Sequence, residues 1–153
     1  RPIVLLLFII HLALGLYLFF ENRIVTPSRY AVDKKQAKNA FAANTMPYTG
    51  LLILLFVLVH VFGFTFSPEE IPISVTVKSA LSGIFYGMFY LFSFAVLAVH
   101  LSHGFWSMLQ TFGVNHPRYN TLIARLTYII PAFFLLLFGG IPLYFMSGAG
   151  ASF

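Results

Sequence analysis

Three histidines stand inside otherwise apolar runs of this chain: His11, His60 and His100. An imidazole at membrane depth is costly unless something binds it, which makes each one a candidate functional residue. Two chemistries are open to it. One ring nitrogen can ligate a metal while the other is held by a hydrogen bond, or the ring can simply bond a carbonyl or hydroxyl of a neighbouring helix. The richest stretch is 99–119, where an apolar run meets basic, polar sequence. His100 lies on its apolar side, and His103 follows one turn later.

Such side chains need elements to carry them, and the composition says which. Of 153 residues, 59% are hydrophobic and 8% are charged, where a soluble domain carries about a quarter. So few charges cannot cover a surface in water. The expected fold is all-α, a membrane-spanning helix bundle forming a single domain over 1–153, with spans at about 2–20, 46–66, 77–103 and 122–146. There is no cysteine, hence no disulfide, thiolate metal site or iron–sulfur cluster held by this chain alone. The net charge of +5 reflects where the loops sit, and we expect no nucleic-acid partner.

The run at 2–20 exceeds the 7–15 residues of a signal-peptide core and ends in Phe19-Phe20-Glu21-Asn22-Arg23, which is no cleavage site. It reads as a span, and a further segment is expected ahead of it. The loop at 22–44 carries Arg23, Arg29, Lys34, Lys35 and Lys38 against Asp33, while 67–72 carries Glu69 and Glu70 and no base. Residues 71–77 read equally as a short extended piece or a surface helix. The loop at 107–121 is basic again, with His116 and Arg118, and the tail after 146 has no charge. Lys and Arg concentrate on the cytoplasmic side, so the first and third loops are expected inside. Pro47 marks the first turn expected for span two, and Pro131 and Pro142 should kink span four.

The apolar cores hold no Asp, Glu, Lys or Arg, unlike the acid-lined paths of pumps and transporters. Zinc would want a third or fourth ligand close by, and the spacing offers none. Haem iron takes imidazoles in pairs and brings a large apolar body suited to a bundle core. A glycine follows each histidine by one turn, Gly15, Gly63 and Gly104. It leaves room for a flat ring on the same helix face, or equally serves helix packing. At 1.5 Å per residue, His11 falls near mid-membrane, His60 nearer the outside and His100 toward the inside. Two levels suit two stacked haems, so a fourth ligand is expected outside this sequence.

Several of these residues form longer patterns. His11 is followed by Phe20-Glu-Asn-Arg23 and Pro27-Ser-Arg-Tyr30. Thr45-Met-Pro-Tyr-Thr-Gly50 leads to Phe56 and His60. The most specific is Val99-His-Leu-Ser-His-Gly-Phe-Trp-Ser-Met-Leu-Gln-Thr-Phe-Gly113 with Asn115-His-Pro-Arg-Tyr119. Over nearly its whole length the chain resembles the di-haem cytochrome b membrane-anchor subunit of succinate dehydrogenases and fumarate reductases. That resemblance implies a five-helix bundle of which this chain carries helices two to five. It implies haem b on His11 and His100 nearer the cytoplasm, and on His60 with a histidine of the absent first helix. It further implies an electron-transfer subunit that does no succinate chemistry itself. Its partners would be an iron–sulfur subunit and a flavoprotein subunit on the cytoplasmic side, membrane lipid, and a quinone, menaquinone by the two-haem type. The location would be a bacterial cytoplasmic membrane.

Lesser candidates for the cofactor are His103, as a propionate partner or proton relay, and Arg23, Arg29 and Ser107, as propionate partners. Each has a plainer role as an interfacial or loop-anchoring residue. Trp106 reads as an interfacial aromatic and His116 as a loop or partner-surface residue. Two other functions compete. One is the cytochrome b anchor of another quinone-linked dehydrogenase, of the formate dehydrogenase or hydrogenase type. The other is a non-haem transport component.

Overall fold

A computed structural model describes residues 2–25, 40–65, 70–114 and 116–148. Helix accounts for 92% of them, with no strand among the described residues. The elements in chain order are α1 (Pro2–Val25), α2 (Ala40–Thr65), α3 (Ile73–Ser82), α4 (Ile84–Thr111) and α5 (Pro117–Met146). The described chain parts into two compact units, Arg1–Pro47 and Tyr48–Phe153, with the division at Pro47 inside α2.

Among the described residues, four helices are long and apolar enough to cross a membrane: Pro2–Val25, Asn44–Thr65, Ile84–Thr111 and Pro117–Met146. Their outward faces carry the argument for lipid. Phe85, Leu136 and Ile3 expose 89%, 77% and 71% of their surface. Each buried apolar side chain is worth about 2 kcal/mol, so outward faces this apolar are stable only against hydrocarbon. The chain is a multi-pass integral membrane protein.

Two spans run past their expected ends, α1 to Val25 and α4 to Thr111, and three begin elsewhere than the sequence suggested, each for a local reason. The third span does not begin at 77. Residues 77–82 belong to α3, and the chain turns at Gly83, whose extended φ of −72° and ψ of 122° break the helix before α4 restarts at Ile84. The stretch ahead of the break is mixed, with Thr76, Lys78, Ser79 and Ser82, and the continuous apolar run begins only behind it at Ile84. α5 begins at Pro117 rather than 122, because Pro117 occupies the first helical turn and His116 caps it, its Nδ1 accepting from the Arg118 N–H at 3.2 Å. α2 begins at Ala40, so Pro47 lies within the helix rather than in its first turn. α5 also runs as one helix through Pro131 and Pro142, both buried on its packed face with Ile123, Thr127 and Gly139.

In the unit Tyr48–Phe153, α5 packs closely on α4, and α3 packs on both. Phe94 meets Phe138 at 5.8 Å, and a Cβ on Gly139 would lie 3.2 Å from Leu91. A Cβ on Gly87 would fall 2.5 Å from the Met146 Sδ and 3.1 Å from the Leu81 carbonyl, so only glycine lets three helices meet there. Partners on α5 rise as those on α4 fall, which makes the pair antiparallel. α2 joins α4 differently, through the ends of long side chains. Phe56, Leu81 and Tyr90 form the buried centre, with Phe64, Tyr86, Phe89 and Phe94 around it.

In the unit Arg1–Pro47, α1 presents apolar side chains along most of its length, Leu5, Leu14 and Phe20 among them. At its end the Arg23 guanidinium lies 4.6 Å from the centre of the Phe19 ring, a cation–π contact one turn apart.

Candidate functional site

The contacts between α2 and α4 set a single register. Thr49 meets His100, Phe56 meets Phe94, and His60 meets Tyr90. Advancing along α2 retreats along α4, so these helices too are antiparallel, and two histidines mark the ends of their seam. Tyr90 and His100 are ten residues apart on α4, about 15 Å at 1.5 Å per residue. The two imidazoles therefore come from different helices and lie at two levels.

At one end, His100 is half-buried on α4 and its Nδ1 lies 3.0 Å from the Thr49 Oγ1. Thr49 is itself buried, at 8% exposure. Gly50 lies against the same ring, where an added Cβ would stand 3.5 Å from the imidazole Cε1. The glycine beside His100 is thus supplied from across the seam. Gly104, on His100's own helix, is half-buried.

At the other end, the His60 Nδ1 lies 3.2 Å from the Tyr90 hydroxyl, which lies 3.4 Å from the Tyr86 hydroxyl. The ring is wedged among Phe64, Phe56 and Tyr90, with centroids at 5.2, 5.7 and 6.1 Å. Its outer face remains exposed. Gly63 does not leave an open seat here: an added Cβ would stand 2.8 Å from the Tyr86 hydroxyl. The space is filled by that phenol, because the register brings Tyr86 against the turn after His60. At Gly63, then, the missing side chain admits a neighbouring helix.

His11 lies in the other unit, exposed near the middle of α1, and Gly15 one turn on has nothing within 4 Å of an added Cβ. Arg23 is exposed at the end of α1 on Phe19. Arg29 lies outside the described residues. Ser107 is exposed on α4, where its carbonyl accepts from the Thr111 hydroxyl at 3.0 Å. His103 is half-buried, and its Nδ1 is buried without a hydrogen-bond partner, as are the Gln110 Nε2 and the Asn120 Oδ1. A buried polar atom left unpaired costs about 1–3 kcal/mol, so these three mark where α4 and α5 leave polar demand unmet.

Among the described residues, no three His, Asp or Glu side chains gather as a metal cluster. The donor arrangement on the α2–α4 seam is two separate imidazoles, His60 and His100, each with a hydroxyl at Nδ1. Sequence reasoning did not single out Thr49, Gly50, Tyr86 or Tyr90 as neighbours of the histidines. Thr49 and Gly50 did carry a signal, as the polar end of the Thr45–Gly50 pattern inside an apolar span, whereas Tyr86 and Tyr90 carried none.

Fold and site together define a multi-pass helical membrane protein with histidines in its apolar seam. No protein-family model, curated protein or solved structure matches the chain.

Proposed function

We propose that this chain is the haem b membrane-anchor subunit of a succinate:quinone oxidoreductase. It would pass electrons between an iron–sulfur subunit and a membrane quinone, menaquinone by the type it resembles, in a bacterial cytoplasmic membrane. The observation that carries this reading is the pair His60 and His100. They stand on different helices, about 15 Å apart in level by helical rise, each with a hydroxyl at Nδ1.

That donor set fits haem. A ligating histidine donates its other ring N–H to a fixed acceptor, which sets the tautomer and turns the ring. With Nδ1 bonded to Thr49 or Tyr90, the nitrogen offered to iron is Nε2. His11 on α1 would supply a third imidazole. Bound haem would supply one-electron transfer. The chain's own residues would hold, orient and insulate it. His60, His100 and His11 would be its ligands. Thr49 and Tyr90 fix ring orientation. Phe56, Phe64 and Phe94 exclude water from one end of the seam.

The basic residues Arg23 at the end of α1, Arg118 in the first turn of α5, and Arg29 of the sequence between α1 and α2 would suit an extrinsic pair of iron–sulfur and flavoprotein subunits on the cytoplasmic face. His103, Arg23, Arg29 and Ser107 are the side chains available for propionates.

Absorption spectroscopy of the purified protein tests the reading. Reduction with dithionite should give the sharp bands of low-spin bis-imidazole haem. A preparation that folds, contains no haem and takes up none on addition would refute it.

A further inference from the structure

We infer that Tyr90 and Tyr86 together, and Thr49 separately, are positioning residues that make the two haem ligands of the α2–α4 seam electronically unequal. This rests on the haem reading above.

The geometry gives the two imidazoles different partners. The His100 Nδ1 meets one aliphatic hydroxyl, Thr49 Oγ1, at 3.0 Å. The His60 Nδ1 meets a phenol, Tyr90 Oη, at 3.2 Å, and that phenol meets a second, Tyr86 Oη, at 3.4 Å. Ligation through Nε2 settles the proton order along the second chain. Nδ1–H must donate to Tyr90, leaving the Tyr90 O–H to donate to Tyr86. A hydroxyl that donates onward accepts more strongly, because hydrogen bonds in a chain polarise one another.

The surroundings hold this chain in place. Tyr90 is buried at 4% exposure and its ring packs edge-on against Phe56 at 5.0 Å. The Tyr86 hydroxyl occupies the space that Gly63 leaves. Glycine at 63 is thus what allows the second phenol to reach the first. A firmer acceptor on Nδ1–H makes an imidazole a more basic ligand. A more basic ligand favours the ferric state and lowers the potential. Each partner should therefore depress the potential of its own haem alone.

The test is a redox titration of the haem-loaded protein in its membrane or detergent, with electron paramagnetic resonance of the oxidised form. Tyr90→Phe keeps the ring and its packing and removes only the hydroxyl. It should raise one titration step, alter one low-spin signal and leave the other step in place. Tyr86→Phe should move the same step in the same direction by less. Thr49→Val should move only the other step, and Thr49→Ser should restore it. Haem content measures folding of every variant. A haem-free wild-type protein would defeat the functional reading. A haem-replete wild type whose steps and signals are unmoved by Tyr90→Phe and Thr49→Val would defeat this inference alone. So would a Tyr90→Phe variant that moves both steps equally.

Discussion

The two ends of the α2–α4 seam hold the same side chain in different ways. At the His60 end the imidazole is one ring among many, with Phe56, Phe64 and Tyr90 within 6.1 Å between centroids. At the His100 end its neighbours on α2 are a threonine hydroxyl and a glycine. Aromatic packing is bulky and resists rearrangement, since interiors are close-packed and feel even a methylene change. A small-residue wall imposes less. The comparison teaches that the first imidazole is packed among aromatic rings, while the second meets small and hydroxyl-bearing side chains on α2.

Removing either histidine is the strongest way to break the comparison. His60→Ala and His100→Ala should each abolish one haem's spectral contribution and leave the other, read by reduced-minus-oxidised spectra and haem-to-protein ratio. Loss of both haems from either variant would mean that the ends are not independent. Phe56→Ala comes next. It removes a buried ring at 8% exposure that touches His60, Phe89, Tyr90 and Phe94. Such truncations cost about 3–5 kcal/mol. Thermal denaturation in detergent should show a clear loss of stability, with the component assigned to His60 disturbed first.

The two glycines give the smallest effects and the finest discrimination. Gly63→Ala sets a methyl 2.8 Å from the Tyr86 hydroxyl, which must move aside. Overpacking costs about 1–3 kcal/mol, and the end of a flexible side chain should place this change at the lower limit. Gly50→Ala sets a methyl at an ordinary 3.5 Å from the His100 ring. Its melting temperature should match the wild type. Equal destabilisation by both substitutions would erase the contrast between a filled and a spacious end.

Much of the architecture was legible in the sequence, because hydrophobic runs of about 20 residues leave few alternatives. What escaped was local. The break at Gly83 follows the mixed stretch Lys78-Ser-Ala-Leu-Ser82, whose polar residues already placed the start of the apolar run behind it. The early start of α5 was hidden because its first turn is polar, although His116-Pro117 carried a capping signal. The histidines stood out as imidazoles in apolar sequence. Their partners did not, since Thr49 is 51 positions from His100 and Tyr90 is 30 from His60. Register between helices is a property of packing that no single span encodes. Gly63 shows the same limit: a glycine one turn from a histidine is visible in sequence, but what fills its space depends on which helix arrives opposite.

The turn at Gly83 frees the helical phase of α4 from that of α3. A helix running unbroken from Ile73 would carry any insertion or deletion at its start straight into the depth and rotation of His100. With the break, α4 takes its alignment from Gly87 against Met146 and Phe94 against Phe138. Length changes between α2 and α3 can be absorbed outside that alignment. One residue added between Tyr90 and His100, or between Thr49 and His60, would instead swing one imidazole by about 100° away from its partner. Natural variation in length should therefore gather between α2 and α3 and spare both of these intervals.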